Sequence, residues 1–302
     1  MSDSSAALRR KIESAGELGS VVRTMKAVAA SSIVQYERSV AALADYLRTV
    51  ELGLSASFRQ DRSTPAPAVA APAADASGPT RGRAIGAIVF GSDQGLVGQF
   101  NDAIAIHALD TLAAVHQPVQ VWAVGERVQA RLADAGLAAA GVFAVPASVA
   151  AITALVAQIL READAFAASG RGAELYLFYN RPSSGAIYTP ATERLLPLDA
   201  AWRRGLMQRH WPTRNLPEVL GMATTTLQAL IGEYLFVSLF RACAESLASE
   251  NASRLAAMQR AEKNIDELLV DMNANFHRLR QSSIDEELFD VVSGFEALSH
   301  GL

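Results

Sequence analysis

Two stretches at the ends of the chain keep a helical beat for far longer than a globular core requires. Between about Ser5 and Phe58 the positions Leu8, Ile12, Ala15, Gly19, Val22, Lys26, Ala29, Ile33, Tyr36, Val40, Leu43, Leu47, Val50 and Leu54 follow alternating steps of four and three. All but Gly19 and Lys26 are apolar or alanine. A 3.5-residue period held this long predicts a left-handed coiled coil rather than a stripe against a core. From Pro217 to Leu298 no proline intervenes, and Ala244, Leu247, Met258, Ala261, Ile265, Leu268, Met272, Phe276 and Leu279 keep a similar beat. The beat resumes at Ile284, Leu288, Val291, Phe295 and Leu298. At about 1.5 Å per residue such a helix would be on the order of 120 Å long, so most of it must lie against something outside a domain. The two helices are expected to pair antiparallel, with the intervening chain returning the second to the first. The seam is predicted to include Leu8, Ile12, Ala15, Gly19, Val22, Ala29 and Ile33, opposite Met258, Ile265 and Met272. Close backbone approach is the expected reason for Gly19, since glycine inside a helix costs about 1 kcal/mol against alanine.

Between the helices the pattern changes twice. Residues 59–83 carry Pro65, Pro67, Pro72 and Pro79 among Ala, Ser and Asp, which predicts a flexible, partly extended linker. Residues 84–198 then alternate short apolar runs with amphipathic stretches, the pattern of an α/β domain. Strands are expected at Ile85–Phe90, Val119–Val124, Val142–Val145, Leu175–Tyr179 and Ile187–Leu196. The last is placed at an antiparallel edge because Pro190 cannot donate to a ladder. Helices are expected from Asn101 or Asp102, acting as cap, to about Val115, and at Glu126–Ala135 and Ser148–Ala168. Residues 199–216 join this domain to the last helix (217–302) with Trp202, Arg203, Arg204, Arg209, Trp211 and Arg214, which reads either as a solvated connector or as a docking surface for another subunit.

Composition narrows the function classes. A net charge of −4 argues against nucleic-acid binding. The single cysteine, Cys243, excludes an intrachain disulfide and suits a reducing compartment. No apolar signal segment is seen at residues 1–5, and the most apolar window, Leu227–Phe240, is short for a bilayer span and carries Glu233. A soluble chain is expected. The glycine loop at 91–98 lacks the Gly-Lys-Ser/Thr ending of a phosphate-cradling loop and does not follow the dinucleotide spacing, so its glycines read as a tight strand-to-helix turn. His107, His116, His210, His277 and His300 form no metal-ligand spacing, and no catalytic set is evident. No catalytic, cofactor or metal residue is expected.

Four stretches in order resemble the γ subunit family of F-type ATP synthases: Thr24–Ser31, the loop Ser92–Gly98 followed by Asn101, Glu245–Glu250 with Arg254, Met258 and Asn264, and Arg280-Gln281 with Ile284 and Val291–Gly294. Ser32, Gln94, Gln99 and Asp285 depart from that family's usual Lys, Arg or Lys, small residue and Thr. Phe276-His277 stands for its Tyr-Asn pair, and 205–218 lacks its acidic-aromatic foot. These departures suggest a divergent or alternative bacterial ATPase.

The resemblance implies a mixed α+β and α/β fold, a long two-helix coiled coil with an inserted Rossmann-like domain. It also implies a non-catalytic rotor shaft without cofactor, coupling ion transport to ATP synthesis or hydrolysis. The implied partners are the complex's α and β subunits, its ε subunit and the membrane c-ring. The implied place is the cytoplasmic face of the bacterial inner membrane, as a peripheral protein. Contacts with the α and β subunits are expected at Met25, Lys26, Arg280, Gln281, Asp285, Val291, Val292, Phe295 and Leu298. Arg254 and Asn251 are expected to set the register of the helix pair. On the residues alone two rivals stay open, a stand-alone coiled-coil tether and an enzyme using the α/β domain.

Overall fold

The computed structural model describes residues 2–60, 84–115, 117–168, 172–215 and 223–299. The proline-rich linker expected at 59–83 lies outside these from residue 61 on, as does the predicted start of the last helix at 217–222. Two helices, α1 (Ser2–Gln60) and α6 (Ala223–Ser299), bracket the sequence. Between them lie β1 (Ala84–Phe90), α2 (Phe100–Ala113), β2 (Val119–Val124), α3 (Glu126–Asp134), β3 (Ala139–Phe143), α4 (Val149–Ala168), β4 (Gly172–Pro182), β5 (Tyr188–Leu196) and α5 (Ala200–Met207). The chain divides into two compact units, residues 1–29 with 255–302, and residues 30–254.

The first unit is a helix pair. Along α1, Leu8, Ile12, Ala15, Gly19, Val22, Lys26 and Ala29 are all buried or half-buried, while the positions between them are mostly exposed. On α6 the corresponding seam runs through Met258, Ala261, Glu262, Ile265, Leu269, Met272 and Phe276. Leu268, placed in the seam by its spacing, is instead 46% exposed. Two apolar residues in succession leave the choice of face to the partner helix, and the four-residue step from Ile265 puts Leu269 inside. A Cβ added at Gly19 would meet Ile265 Cγ2 at 3.4 Å, ordinary van der Waals contact, so close approach of the helices does not itself demand glycine there.

The second unit is built on a five-stranded mixed sheet of order β3-β2-β1-β4-β5. The first four strands run parallel and β5 pairs antiparallel with β4. Pro190 sits on this edge strand, where a missing N–H is tolerated. β4 runs longer than its apolar core because Asn180, Arg181 and Pro182 continue the ladder with Pro190, Thr189 and Tyr188. β3 begins three residues before the predicted strand, at Ala139, because that residue pairs with Val121 on β2. One sheet face packs on α2 and α3 through Ile104, Ala108, Val128 and Leu132. The other carries α4, together with residues 30–60 of α1 and 223–254 of α6, in one core that includes Ile88, Trp122, Ile159, Leu54, Phe58, Leu235 and Leu239. Leu54 to Phe58 are buried on every side, so this end of α1 is a core helix rather than one strand of an exposed coil. α6 contains a window long and apolar enough to cross a membrane, and 56% of it is buried within the protein.

Ion pairs tie α6 to the edge of the sheet. Arg241 Nη2 donates to both carboxylate oxygens of Glu193 on β5, at 2.8 and 3.0 Å. Arg181 Nε on β4 donates to Glu245 Oε2 at 2.9 Å. Tyr179, whose hydroxyl meets Arg181 and Glu193, has its pKa pushed up to about 12 by burial, with Glu245 and Glu193 adding to the effect. Helix α5 was not foreseen. Its N-cap is Asp199, whose Oδ1 accepts the Trp202 amide at 2.9 Å, so residues 199–216 begin with an ordered helix.

Candidate functional site

The glycine loop after β1 is held by a set of side chains that are far apart in sequence. Asn101 Oδ1 accepts the Ser92 amide at 2.9 Å, and Asn101 Nδ2 donates to Ser92 Oγ at 2.8 Å. Neither Asp102, which pairs with Arg131 at 2.7 Å, nor Asn101 caps α2, although the sequence offered both as candidates. Asn101 lies in the first turn, buried, and ties the helix back to the loop, while Gln99 occupies the cap position without a side-chain bond. Asp93 receives the backbone amides of Glu126 at 3.0 Å and Val145 at 2.8 Å, joining three loops at the carboxyl ends of the strands. Two glycines make the close packing possible. A Cβ at Gly91 would fall 2.3 Å from Val128 Cβ, and Gly125, at φ +111°, would place one 2.7 Å from the Ser92 carbonyl oxygen. Leu96 takes a left-handed conformation at φ 62° and is exposed.

Helix α6 closes over this loop. Ser253 Oγ donates to the Val97 carbonyl at 2.5 Å, and at the end of β4 Asn180 Nδ2 donates to the Phe100 carbonyl at 3.0 Å. In doubly wound sheets the crevice between β1 and β4, where the strand order reverses, is the usual place for a ligand. Here α6 side chains engage the loop at that position. Arg254 Nη2 pairs with Glu250 Oε1 at 2.6 Å, and both side chains are nearly buried. Burial raises the Glu250 pKa, and Asp93 adds to that while Arg254 opposes it. The Tyr36 phenol is also raised, by burial first and then by Glu250. A cavity of about 190 Å³ lies among Ser32, Tyr36, Asp93, Gln94, Glu250 and Arg254. Asn251 donates from Nδ2 to the Leu247 carbonyl within its own helix. Burial pushes the Cys243 thiol well above its ordinary range, which keeps it in the unreactive protonated form.

In the helix-pair unit, Lys26 Nζ lies 2.5 Å from Glu262 Oε2, so the charge expected to face a partner is paired across the seam. Met25 beside it is half-buried. Toward the other end of the pair, Leu8 and Lys11 share an open groove of about 450 Å³ with Asn275, Arg278 and Leu279. Beyond that groove Arg280, Gln281 and Asp285 are exposed. Ile284, Leu288, Phe289, Val291 and Val292 are 46–70% exposed, although all are large and apolar. The side chains of Phe295 and Leu298 lie outside the described residues.

The structure thus joins two stretches that the sequence presented separately, 92–98 and 245–254, and adds Tyr36 from α1. It places Arg280 to Val292 elsewhere, on an uncovered helix face. Sequence reading missed Glu262, Ser253 and the loop role of Asn101. Glu262 stands 236 residues from Lys26, so only the pairing of the helices could reveal it.

Comparison with known proteins follows this geometry. Residues 4–298 match the ATP synthase family. The chain is 30% identical to the ATP synthase gamma chain of Salinibacter ruber over 310 residues, covering 96% of this chain and 97% of that one. Its fold is similar to a chain of the Euglena gracilis mitochondrial ATP synthase in a structure of OSCP, F1 and c-ring. That match has TM-score 0.64, with 16% identity over 100% of this chain and 96% of that chain. A second Euglena gracilis structure, of the rotor, matches with TM-score 0.58 and 15% identity over 94% of this chain and all of that one.

Proposed function

Since the chain belongs to the ATP synthase γ-chain family, and is therefore the central rotor and a non-catalytic subunit of a membrane-associated complex, we propose how its surfaces divide that work. The α6 segment from Arg280 to Val292, continuing to Phe295 and Leu298, is the tip that turns inside a sleeve of α and β subunits. The observation that carries this reading is the uncovered apolar face at Ile284, Leu288 and Val291. These residues stand four and three apart, on one side of the helix. An isolated helix shorter than about 12–15 residues is marginal in water, and in proteins helical stability comes mainly from packing an apolar face. A sleeve that excludes water supplies that packing while leaving rotation free.

Arg280 and Gln281 precede this face by about one turn. A planar guanidinium beside an amide suits a carboxylate-bearing loop on a β subunit, with Asp285 modulating the same contact. Each orientation of an asymmetric shaft favours a different conformation of each β subunit, by as much as its contacts differ between those conformations. Met25, half-buried on α1, is a further contact with the α and β subunits, and Lys26 serves the shaft by fixing the helix pair through Glu262. The ε subunit and the c-ring complete the rotor, and the complex stands at the cytoplasmic face of a bacterial inner membrane. OSCP, F1 and c-ring accompany the related Euglena gracilis chain and support F1 and the c-ring among these partners.

The test is the ATPase rate of matched, fully assembled complexes. Removing the Arg280 guanidinium from a desolvated carboxylate contact costs about 2–5 kcal/mol in the engaged orientation, and from an exposed one about 0–1 kcal/mol. Arg280→Ala is expected to assemble normally and hydrolyse ATP far more slowly, and Arg280→Lys to recover part of the rate. Wild-type turnover in the alanine variant would make Arg280 a solvated helix residue and remove this part of the reading.

A further inference from the structure

We infer that the cavity where α1, α6, the glycine loop and residues 145–147 meet is a binding site for one alkali cation of about potassium size. Its volume of about 190 Å³ has room for several water molecules at roughly 30 Å³ each, enough for an ion that keeps part of its hydration shell. The charged side chains that line it are Asp93, Glu250 and Arg254. Two carboxylates against one guanidinium leave one negative charge over. Glu250 is 5% exposed; its Oε1 takes Arg254 Nη2 at 2.6 Å, and its Oε2 is buried with no hydrogen-bond partner among the described residues. A carboxylate held away from water with one oxygen unserved is neutralised by a proton or by a cation.

Neutral oxygens converge on the same space. Tyr36 is 6% exposed and lines the cavity, and its hydroxyl makes no hydrogen bond among the described residues. The phenol is close enough to Glu250 for that carboxylate to raise its pKa. Ser32 and Gln94 add a hydroxyl and an amide oxygen, and Gln94 is exposed, which gives an ion a way in. Calcium and magnesium fit less well, because their sites draw on carboxylates for charge. Both oxygens of Asp93 already accept backbone amides, from Glu126 and Val145, so Glu250 Oε2 is the one carboxylate oxygen at the cavity without a partner. Among the described residues no three His, Cys, Asp or Glu side chains gather to hold a metal ion. Arg254 Nε also lacks a partner, but one N–H set against a whole carboxylate charge leaves the balance negative. One excess charge among neutral oxygens suits a monovalent ion.

Ion and proton compete for the same oxygen. The titratable and charged groups around Glu250 are Tyr36 from α1, Asp93 from the glycine loop, and Arg254 and Cys243 from α6. Residues 145–147 bring none. Tyr36 and Cys243 are both raised by burial first, so they stay neutral at physiological pH. Glu250 is raised by burial too, with Asp93 adding and Arg254 opposing. It is therefore the group whose proton the cation displaces. The lining residues all lie within the compact unit of residues 30–254, so the site is complete in one chain and stands apart from the rotor reading.

The probe is thallium(I), a potassium-sized ion with its own NMR signal, titrated into the full-length chain in N-methylglucamine nitrate at constant ionic strength. Saturable binding of one ion per chain is expected, displaced by potassium and weakening about tenfold for each pH unit below the folded pKa of Glu250, since one proton replaces one ion. Glu250→Gln is expected to weaken binding at least about tenfold and to remove its pH dependence, because the excess charge is gone. Tyr36→Phe keeps the ring and removes one oxygen, and should weaken binding several-fold; Trp122 fluorescence checks that both variants are folded. No saturable thallium(I) binding would overturn the assignment and leave Glu250 a proton site only. Wild-type affinity and pH dependence in Glu250→Gln would also overturn it, as would calcium displacing thallium(I) more strongly than potassium does. Failure of the rotor reading would show elsewhere, as absence of α and β subunits from the purified complex.

Discussion

Asn101 offers the sharpest test of how the glycine loop is held. Its carboxamide makes two short hydrogen bonds to Ser92, one to the amide and one to the hydroxyl, and the residue is buried. Asn101→Ala removes both, at about 0.5–1.5 kcal/mol each, and leaves the Ser92 amide without a partner, which costs about 1–3 kcal/mol by itself. These costs overlap, because the lost amide bond is counted in both, so a total of about 2–4 kcal/mol is expected. Ser92→Ala keeps the bond to the amide and removes only the hydroxyl, which also donates to the Gln94 carbonyl. It should cost about 1–2 kcal/mol, and the double variant should lose less than the sum, since the two side chains share one contact. Urea unfolding followed by fluorescence reports on this unit through Trp122, which is buried in the sheet core. Hydrogen exchange at the Ser92 amide reports on the loop itself. An Asn101→Ala variant within about 0.5 kcal/mol of wild type, the range of an ordinary surface substitution, with Ser92 still protected, would refute the clamp.

Two further outcomes follow from geometry and burial. Gly19→Ala should stabilise the helix pair by about 0.5–1 kcal/mol, because the added methyl meets Ile265 at ordinary contact distance; a lower melting temperature in thermal unfolding would show that the seam has no room for it. The raised pKa of Glu250 means that its contribution to stability is complete below the unfolded value of 4.5 and is lost as pH rises through the folded value. Relative to Glu250→Gln, wild type should therefore be most stable in mild acid and lose ground toward neutral pH in urea titrations, and a difference independent of pH would contradict the assigned burial.

Much of this protein is written in local periodicity. The four-three steps from Leu8 to Leu54 fix which face of α1 is buried, because 3.6 residues per turn brings those positions to one side whatever they pack against. The apolar runs at 85–90 and 119–124 fix two strands for a similar reason, and Pro190 assigns β5 to an edge through its missing N–H. The exposed apolar residues after Arg280 were legible as a repeat, but the sequence could not say that the helix pair leaves them uncovered. Periodicity identifies a face and is silent about its occupant.

What only the tertiary structure decided depends on contacts across long sequence separations. Lys26 looked like a charge offered to a partner, and it became half of a pair when α6 brought Glu262 opposite. Leu268 and Leu269 were equivalent by composition, and the register of the two helices buried the second. Asn101 looked like a helix cap because it stands beside a helix start, whereas the fold of the loop turned it toward Ser92. Helix α5 is only eight residues long, so packing of Trp202 between Phe58 and Tyr234 defines it more than propensity does. In each case the chain supplied a residue able to serve two roles, and the free energy of pairing or burying it against a distant neighbour selected one.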